Sequence, residues 1–192
     1  MAETAQNDRE SAELSRRQRD ARREIRVIGD PVLRERAAEV SVFDRGLRKL
    51  AKRMLRVMHD APGIGLAAPQ VGVLQRLLVY EVEDTPHALV NPVLDEFSEE
   101  TEESEEGCLS IPGVTVPVRR AVSVRVRGND LDGAEIEFVS EGLEARVIQH
   151  ETDHLDGVLI TDRTSRAARA AAMRELRERD DAGMVGAVGG GL

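Results

Sequence analysis

The stretch that most restricts this chain is His150-Glu151-Thr152-Asp153-His154. Residues four apart lie on one face of an α-helix, so both imidazoles can reach a single metal ion. Glu151, one residue round from the first imidazole, is close enough to take a proton from a water on that metal. Short matches of this kind also arise by chance in charged helices, where the histidines are only surface groups or satisfied core groups. The stripe Leu143, Val147, His150 and His154 argues for the metal, because its helical spacing puts the histidines where core residues belong. Buried imidazoles without partners would be costly there.

Two histidines and a general base leave a third protein ligand to find. The extended pattern H-E-x-x-H-x-x-G-x-x-H finds its glycine at Gly157 but has Ile160 in the last position, so that route fails. A downstream carboxylate would have to be Glu175 or Glu178, both in an arginine-rich tail segment better suited to solvent. Cys108, in Glu106-Gly107-Cys108-Leu109-Ser110, is the remaining candidate. As a thiolate it completes a Cys/His/His set whose fourth position stays open, the arrangement of a catalytic site. Taken alone, Cys108 also fits a small buried hydrophobe, or a nucleophile paired with histidine. The nucleophile leaves one histidine and Glu151 without a role. A single cysteine excludes an internal disulfide, and with no apolar export segment at the N-terminus the expected compartment is a reducing cytoplasm.

The rest of the chain reads as one α+β domain, with antiparallel sheets packed around a central helix that carries the histidines, and a C-terminal helix. Aromatic residues make up only 2% of the sequence, so the core must rest on Val, Leu, Ile and Ala. Residues 1–24, with six acidic and six arginine residues, read as a charged leader outside the fold, disordered or else frayed and helix-prone. The catalytic domain is expected over 25–163, a C-terminal helix over 164–181 and a flexible glycine-rich tail over 182–192. Arg45 to His59 has the spacing of an amphipathic helix. Strands are expected at Leu77–Val82, Ala88–Leu94, Val114–Val118, Val122–Val126 and Ile136–Val139. The central helix should run from Ser140, as N-cap, to about Leu155. Eight of the twelve residues from Asp95 to Glu106 are acidic and read as a solvated hairpin edge, Glu106 excepted. A net charge of -9 gives no reason to expect binding to nucleic acid or to a membrane.

Gly63-Ile64-Gly65-Leu66-Ala67-Ala68-Pro69-Gln70 contains G-x-G-x-x-A, but it follows a helix rather than a strand, and Pro69 interrupts the helix a dinucleotide site needs. An extended edge is the better account, with bare glycines that let a substrate backbone pair as an added strand. Gln70 then offers an amide donor to an oxyanion, and Gly107 leaves room for a backbone to approach beside Cys108.

Together, Gly63–Gln70, Glu106–Ser110 and Gln149–His154 resemble the three signature motifs of the peptide deformylases, in that family's order and spacing. The resemblance extends from about Ile25 to Arg163. It implies hydrolysis of the N-formyl group from the formyl-methionine of newly made polypeptides, releasing formate, with metal-bound water attacking the formyl carbon. By the same resemblance Cys108, His150 and His154 bind the metal, and Glu151 is general base and then acid. Gln70 and the Leu109 N–H stabilise the oxyanion. Gly63, Ile64, Gly65, Gly107 and Val147 contact substrate, and Glu106 stands behind the ligands, paired with Arg119 or Arg120. One divalent ion per chain is implied, Fe2+ by resemblance, with Zn2+, Ni2+ or Co2+ admitted by the ligands. The implied partners are N-formylmethionyl nascent peptides, without a membrane, and the ribosome through the basic C-terminal helix. Thr152 stands where the family usually has an apolar residue. The competing readings are an H-E-x-x-H endopeptidase and an inactive peptide-binding relative. The first needs a carboxylate ligand, and the second has no use for Glu151 and Gln70.

Overall fold

A computed structural model of the chain describes residues 2–181. Helix α2 (Arg45–Asp60) begins where Asp44 accepts the Leu47 N–H at 3.0 Å, an N-cap that contributes about 1 kcal/mol. Its stripe of Leu47, Ala51, Met54, Val57 and Met58 is buried. Strands β1 (Gly65–Ala67), β2 (Leu77–Val82), β3 (Thr85–Asp95), β6 (Ser123–Asn129) and β7 (Glu135–Glu141) form an antiparallel sheet in the order β1-β2-β3-β6-β7. Strands β4 (Thr101–Cys108) and β5 (Ile111–Ala121) form a separate hairpin. Helix α3 (Gly142–Leu155) packs on β1 and β2 and reaches β5, so it lies between the sheet and the hairpin. The short α4 (Ile160–Arg163) and then α5 (Arg166–Asp181) follow.

Strand β2 shows why the sheet forms. Leu77 and Val79 point into the core under α2, whereas Leu78 and Tyr80 point into the core under α3. Both faces are covered, so the strand is continuously apolar rather than alternating. Strand β5 does alternate, with Val114, Val116 and Val118 buried against Leu159, Ala172 and Leu176. The acidic residues Glu102, Glu103 and Glu105 form the exposed edge of the hairpin.

Two expectations need correction. Residues 2–24 are neither disordered nor outside the fold: they form one helix, α1 (Ala2–Glu24), whose end joins the core. Its C-terminal half docks on α2: Ala21 and Ile25 are buried, Arg17 meets Asp60 at 2.6 Å, and Glu24 holds Arg53 and Arg56. Two small apolar contacts and three ion pairs secure a segment whose composition is otherwise polar. The expected C-terminal helix is present as α5, and its Ala172 and Leu176 complete the core over β5. Finally, α3 starts after Ser140, whose hydroxyl donates to the Glu144 carboxylate at 2.9 Å, and Glu141 takes the N-cap position without a side-chain bond. The expected glycine-rich tail, 182–192, lies outside the described residues.

Candidate metal centre

Helix α3 carries His150 and His154 on one side, their ring centroids 5.2 Å apart. Cys108 reaches them from the end of β4, where the β4–β5 register slips between Gly107 and Cys108 and turns the thiol inward. One ligand atom from each of the three residues lies within 4.8 Å of the others, and Cys108 Sγ stands 3.2 Å from His154 Nε2.

What holds these groups is an ionic chain behind them. His150 Nδ1 meets Glu106 Oε2 at 3.0 Å, which leaves the other ring nitrogen for the site. Glu106, itself buried, accepts a two-pronged pair of bonds from Arg120, each 3.0 Å, and another from Arg146 at 2.7 Å. Arg120 also donates to Asp153 on α3 at 2.5 Å, and Arg163 binds Asp153 from outside. Arg119, the other expected partner of Glu106, points to the opposite face of β5 and meets Glu103 at 3.7 Å. Burial would raise the Glu106 carboxyl, but the bonds to His150 and Arg120 prevail and hold it at about 2.

The two histidines differ. Burial, with the nearby His150 and Arg120 adding to it, pushes His154 well below its ordinary value, which favours the neutral imidazole that a metal needs. His150 is opposed by burial too, but Cys108 and Glu106 lift it well above the usual range. A thiol, a neutral imidazole and a second imidazole anchored on a carboxylate fit a divalent transition metal. His154 Nδ1 has no partner among the described residues.

Glu151 is buried beside this group, and desolvation raises its carboxyl to about 7, with Glu106 and Asp153 adding to the effect against His150 and Arg120. Gly65 is required next to it, since a Cβ there would come within 2.4 Å of Glu151 Oε1. Gln70 is oriented by its own oxygen, which accepts the Ala67 N–H at 2.7 Å. Its amide nitrogen therefore faces Ser110 Oγ at 3.2 Å and Cys108 Sγ at 3.7 Å. Leu109 occupies the two-residue turn between β4 and β5 and packs over Gly63, where a Cβ would meet it at 2.7 Å.

All of this opens on a cavity of about 1330 Å³. Gly63, Ile64, Gly65, Gln70, Gly107, Cys108, Leu109, Val147, His150 and Glu151 line it, whereas His154 lies behind the wall. Gly107 has ordinary space around it: a Cβ there would lie 3.7 Å from the Thr115 methyl, so close packing does not explain that glycine. Leu143, expected on the buried stripe, is 56% exposed and stands at the cavity's edge. Sequence reasoning missed Arg146 and Asp153. Both carried a signal, since Arg146 lies four residues before His150 on α3 and Asp153 lies inside the histidine motif.

A family model described as polypeptide deformylase matches residues 22–170. The peptide deformylase of Thermotoga petrophila is 51% identical over 141 residues, which cover 73% of this chain and 86% of that protein. Peptide deformylase 1 of Corynebacterium glutamicum is 50% identical over 145 residues, covering 73% and 86%. Among solved structures, the Thermotoga maritima peptide deformylase aligns with a TM-score of 0.72 at 50% identity, over 73% of this chain and 96% of that one. The Synechococcus elongatus enzyme in complex with actinonin aligns at 0.77 and 44% identity, over 80% and 85%.

Proposed function

The chain belongs to the polypeptide deformylase family, and from that premise we propose that Cys108, His150 and His154 hold its metal and that Glu151 moves the proton. The reaction is metal-dependent removal of the N-formyl group from nascent peptides. The observation that carries the assignment is the convergence of the three ligand atoms beside a buried carboxyl raised to about 7.

When bound, a divalent cation supplies Lewis acidity to a water and to the formyl carbonyl. Glu151 accepts a proton from the attacking water and returns one to the departing amine, and a pKa near neutrality suits it to both steps. Gln70 Nε2 and the Leu109 N–H donate to the carbonyl oxygen as charge gathers on it. Strand β1 is an edge of the large sheet, so Gly63 to Gly65 can pair with the substrate backbone. Ile64 and Val147 supply apolar surface for the methionine side chain, and Gly107 lies along the same path. Glu106 and Arg120 position His150.

The ion we propose is Fe2+, on the strength of the resemblance, with Zn2+, Ni2+ and Co2+ also accepted. The site of action is the cytoplasm, where formylated chains are made. Anaerobic purification with metal analysis and a formate-release assay tests both ion and residues. Glu151→Ala should keep the metal and lose about 10²–10⁴ in kcat on a formylated peptide, with acetylated and unblocked forms inert throughout. Undiminished formate release from the variant would refute the role of Glu151, and a different divalent ion recovered in place of iron from the anaerobically purified wild-type enzyme would refute Fe2+ as its resident ion.

Ribosome contact is proposed for α5. Arg163 at the end of α4 is engaged by Asp153, and in α5 Arg169 and Arg179 are engaged by Asp162 and Glu175; among the described residues Arg166, Arg174 and Arg177 have no ion-pair partner and are offered to phosphates. Changing those three to Gln should weaken ribosome co-sedimentation in low salt, and unchanged binding would remove α5 from the interface.

A further inference from the structure

One wall of the cavity is built by the end of α1. Arg19, Arg22 and Arg23 line it, joined by Arg179 from α5. Arg19 precedes the residues matched by the family model. Among the described residues, Arg19 and Arg22 have no ion-pair partner, and Arg23 has only the exposed Asp20 at 3.6 Å. The carboxylates of the same lining are Asp30, engaged by Arg26 at 3.7 Å, Glu105 from β4, and the buried Glu106 and Glu151, of which Glu106 is held by Arg120 and Arg146. A chain with a net charge of -9 therefore has a basic wall in the cavity that holds its candidate active site.

The wall is tied to the chemistry through the backbone. Just after α1, the Arg26 N–H donates to Gln70 O at 2.7 Å and the Ile28 N–H to Ser110 O at 2.8 Å. Buried Ala21 and Ile25 fix the helix end against α2, so the arginines keep their place relative to Gln70 and Cys108.

We propose that Arg19, Arg22 and Arg23 are specificity residues that favour formylated peptides with an acidic side chain downstream of the methionine. The inference rests on the deformylase reading above and names a substrate class within it. An acidic peptide is repelled by the molecule as a whole, so the gain must come from local pairing at this wall. Exposed pairs are individually weak, and three together give about a five- to tenfold preference that salt reduces.

The test uses the full metal-loaded chain and formyl-methionyl hexapeptides that carry Asp or Asn at one position from the second to the sixth. Formate release should give a higher kcat/KM for Asp at one or more positions, by about five- to tenfold in low salt. The triple variant Arg19→Gln, Arg22→Gln, Arg23→Gln should abolish the preference while leaving the Asn peptides unchanged. Lysine at the same three positions should keep it, which separates charge from folding. Equal kcat/KM for Asp and Asn at every position overturns the proposal, as does a preference that survives the glutamine variant. Loss of ribosome co-sedimentation in that variant with peptide preference intact also overturns it, and assigns the arginines to RNA phosphates. Absence of formate release from every formylated peptide overturns the proposed function, and this inference with it.

Discussion

The five-stranded sheet and the β4–β5 hairpin are both antiparallel, yet they are held by different forces. Strand β2 is covered on both faces by apolar groups, and its buried Tyr80 hydroxyl donates to the Glu144 carboxylate at 3.0 Å. The hairpin buries one face, on which Val114, Val116 and Val118 meet α5 while Glu106 and Arg120, also buried, meet α3 in an ionic chain that runs from His150 to Asp153. The large sheet is a frame that tolerates change in small steps. The hairpin aims Cys108 and, through Glu106, His150, and its buried charges depend on one another for partners.

The largest contrast should come from a pair of variants. Arg120→Met leaves Glu106 and Asp153 buried without their shared partner. It should cost about 3–5 kcal/mol in denaturant unfolding and also weaken metal affinity about 10–100-fold. Leu78→Ala in β2 should cost about 2–5 kcal/mol, with metal content and kcat of the folded protein unchanged. Equal metal retention in the two variants would erase the distinction between frame and hairpin.

A smaller effect should appear in acid. Glu106 titrates at about 2 in the folded protein against an ordinary value of 4.5, so its contribution is complete above that ordinary value and is lost as pH falls toward 2. The difference amounts to roughly 3 kcal/mol. Acid titration of metal-free protein should therefore show a steep loss of stability below about pH 5 that is flatter in Glu106→Gln. Parallel curves would place the acid-sensitive group elsewhere.

The smallest expected effect lies at Thr152, on α3 between the two regions. Its hydroxyl is buried and has no partner among the described residues. Thr152→Val should raise stability by about 1 kcal/mol, read as a higher Tm, because an unsatisfied hydroxyl is removed at almost constant shape. A lower Tm would mean that the hydroxyl has a partner.

Much of this was legible in the amino-acid order. The histidine pair, the base between them and the exclusion of Ile160 as a ligand all follow from helical spacing. The strands from Leu77 to Val82 and from Val114 to Val118 follow from composition and local pattern; of the expected Gly63–Gln70 edge only Gly65–Ala67 is a strand, and Ala68–Val71 turns into a 3-10 helix that begins with Pro69 in its first turn. Ser140 misled because its hydroxyl has two outlets, the helix N-terminus or the Glu144 carboxylate, and local sequence does not choose between them. Residues 1–24 misled for a related reason. Ala21 and Ile25 are a small apolar signal in a charged stretch, and their value depends on α2 being there to receive them.

By itself, then, the sequence determined the helix that carries the candidate ligands, the chemistry those side chains can perform and the family to which they point. Spacing along a helix and the presence of a donor are local properties, set by backbone geometry and side-chain type. Only the tertiary structure decided that Arg120 rather than Arg119 backs Glu106, that Leu143 stands at the cavity's edge, and that α1 lends its arginines to the wall. Those outcomes depend on which faces meet across the α3 interface. That choice comes from the packing of the whole core, in which desolvation and ion pairing far along the chain outweigh any preference written into neighbouring residues.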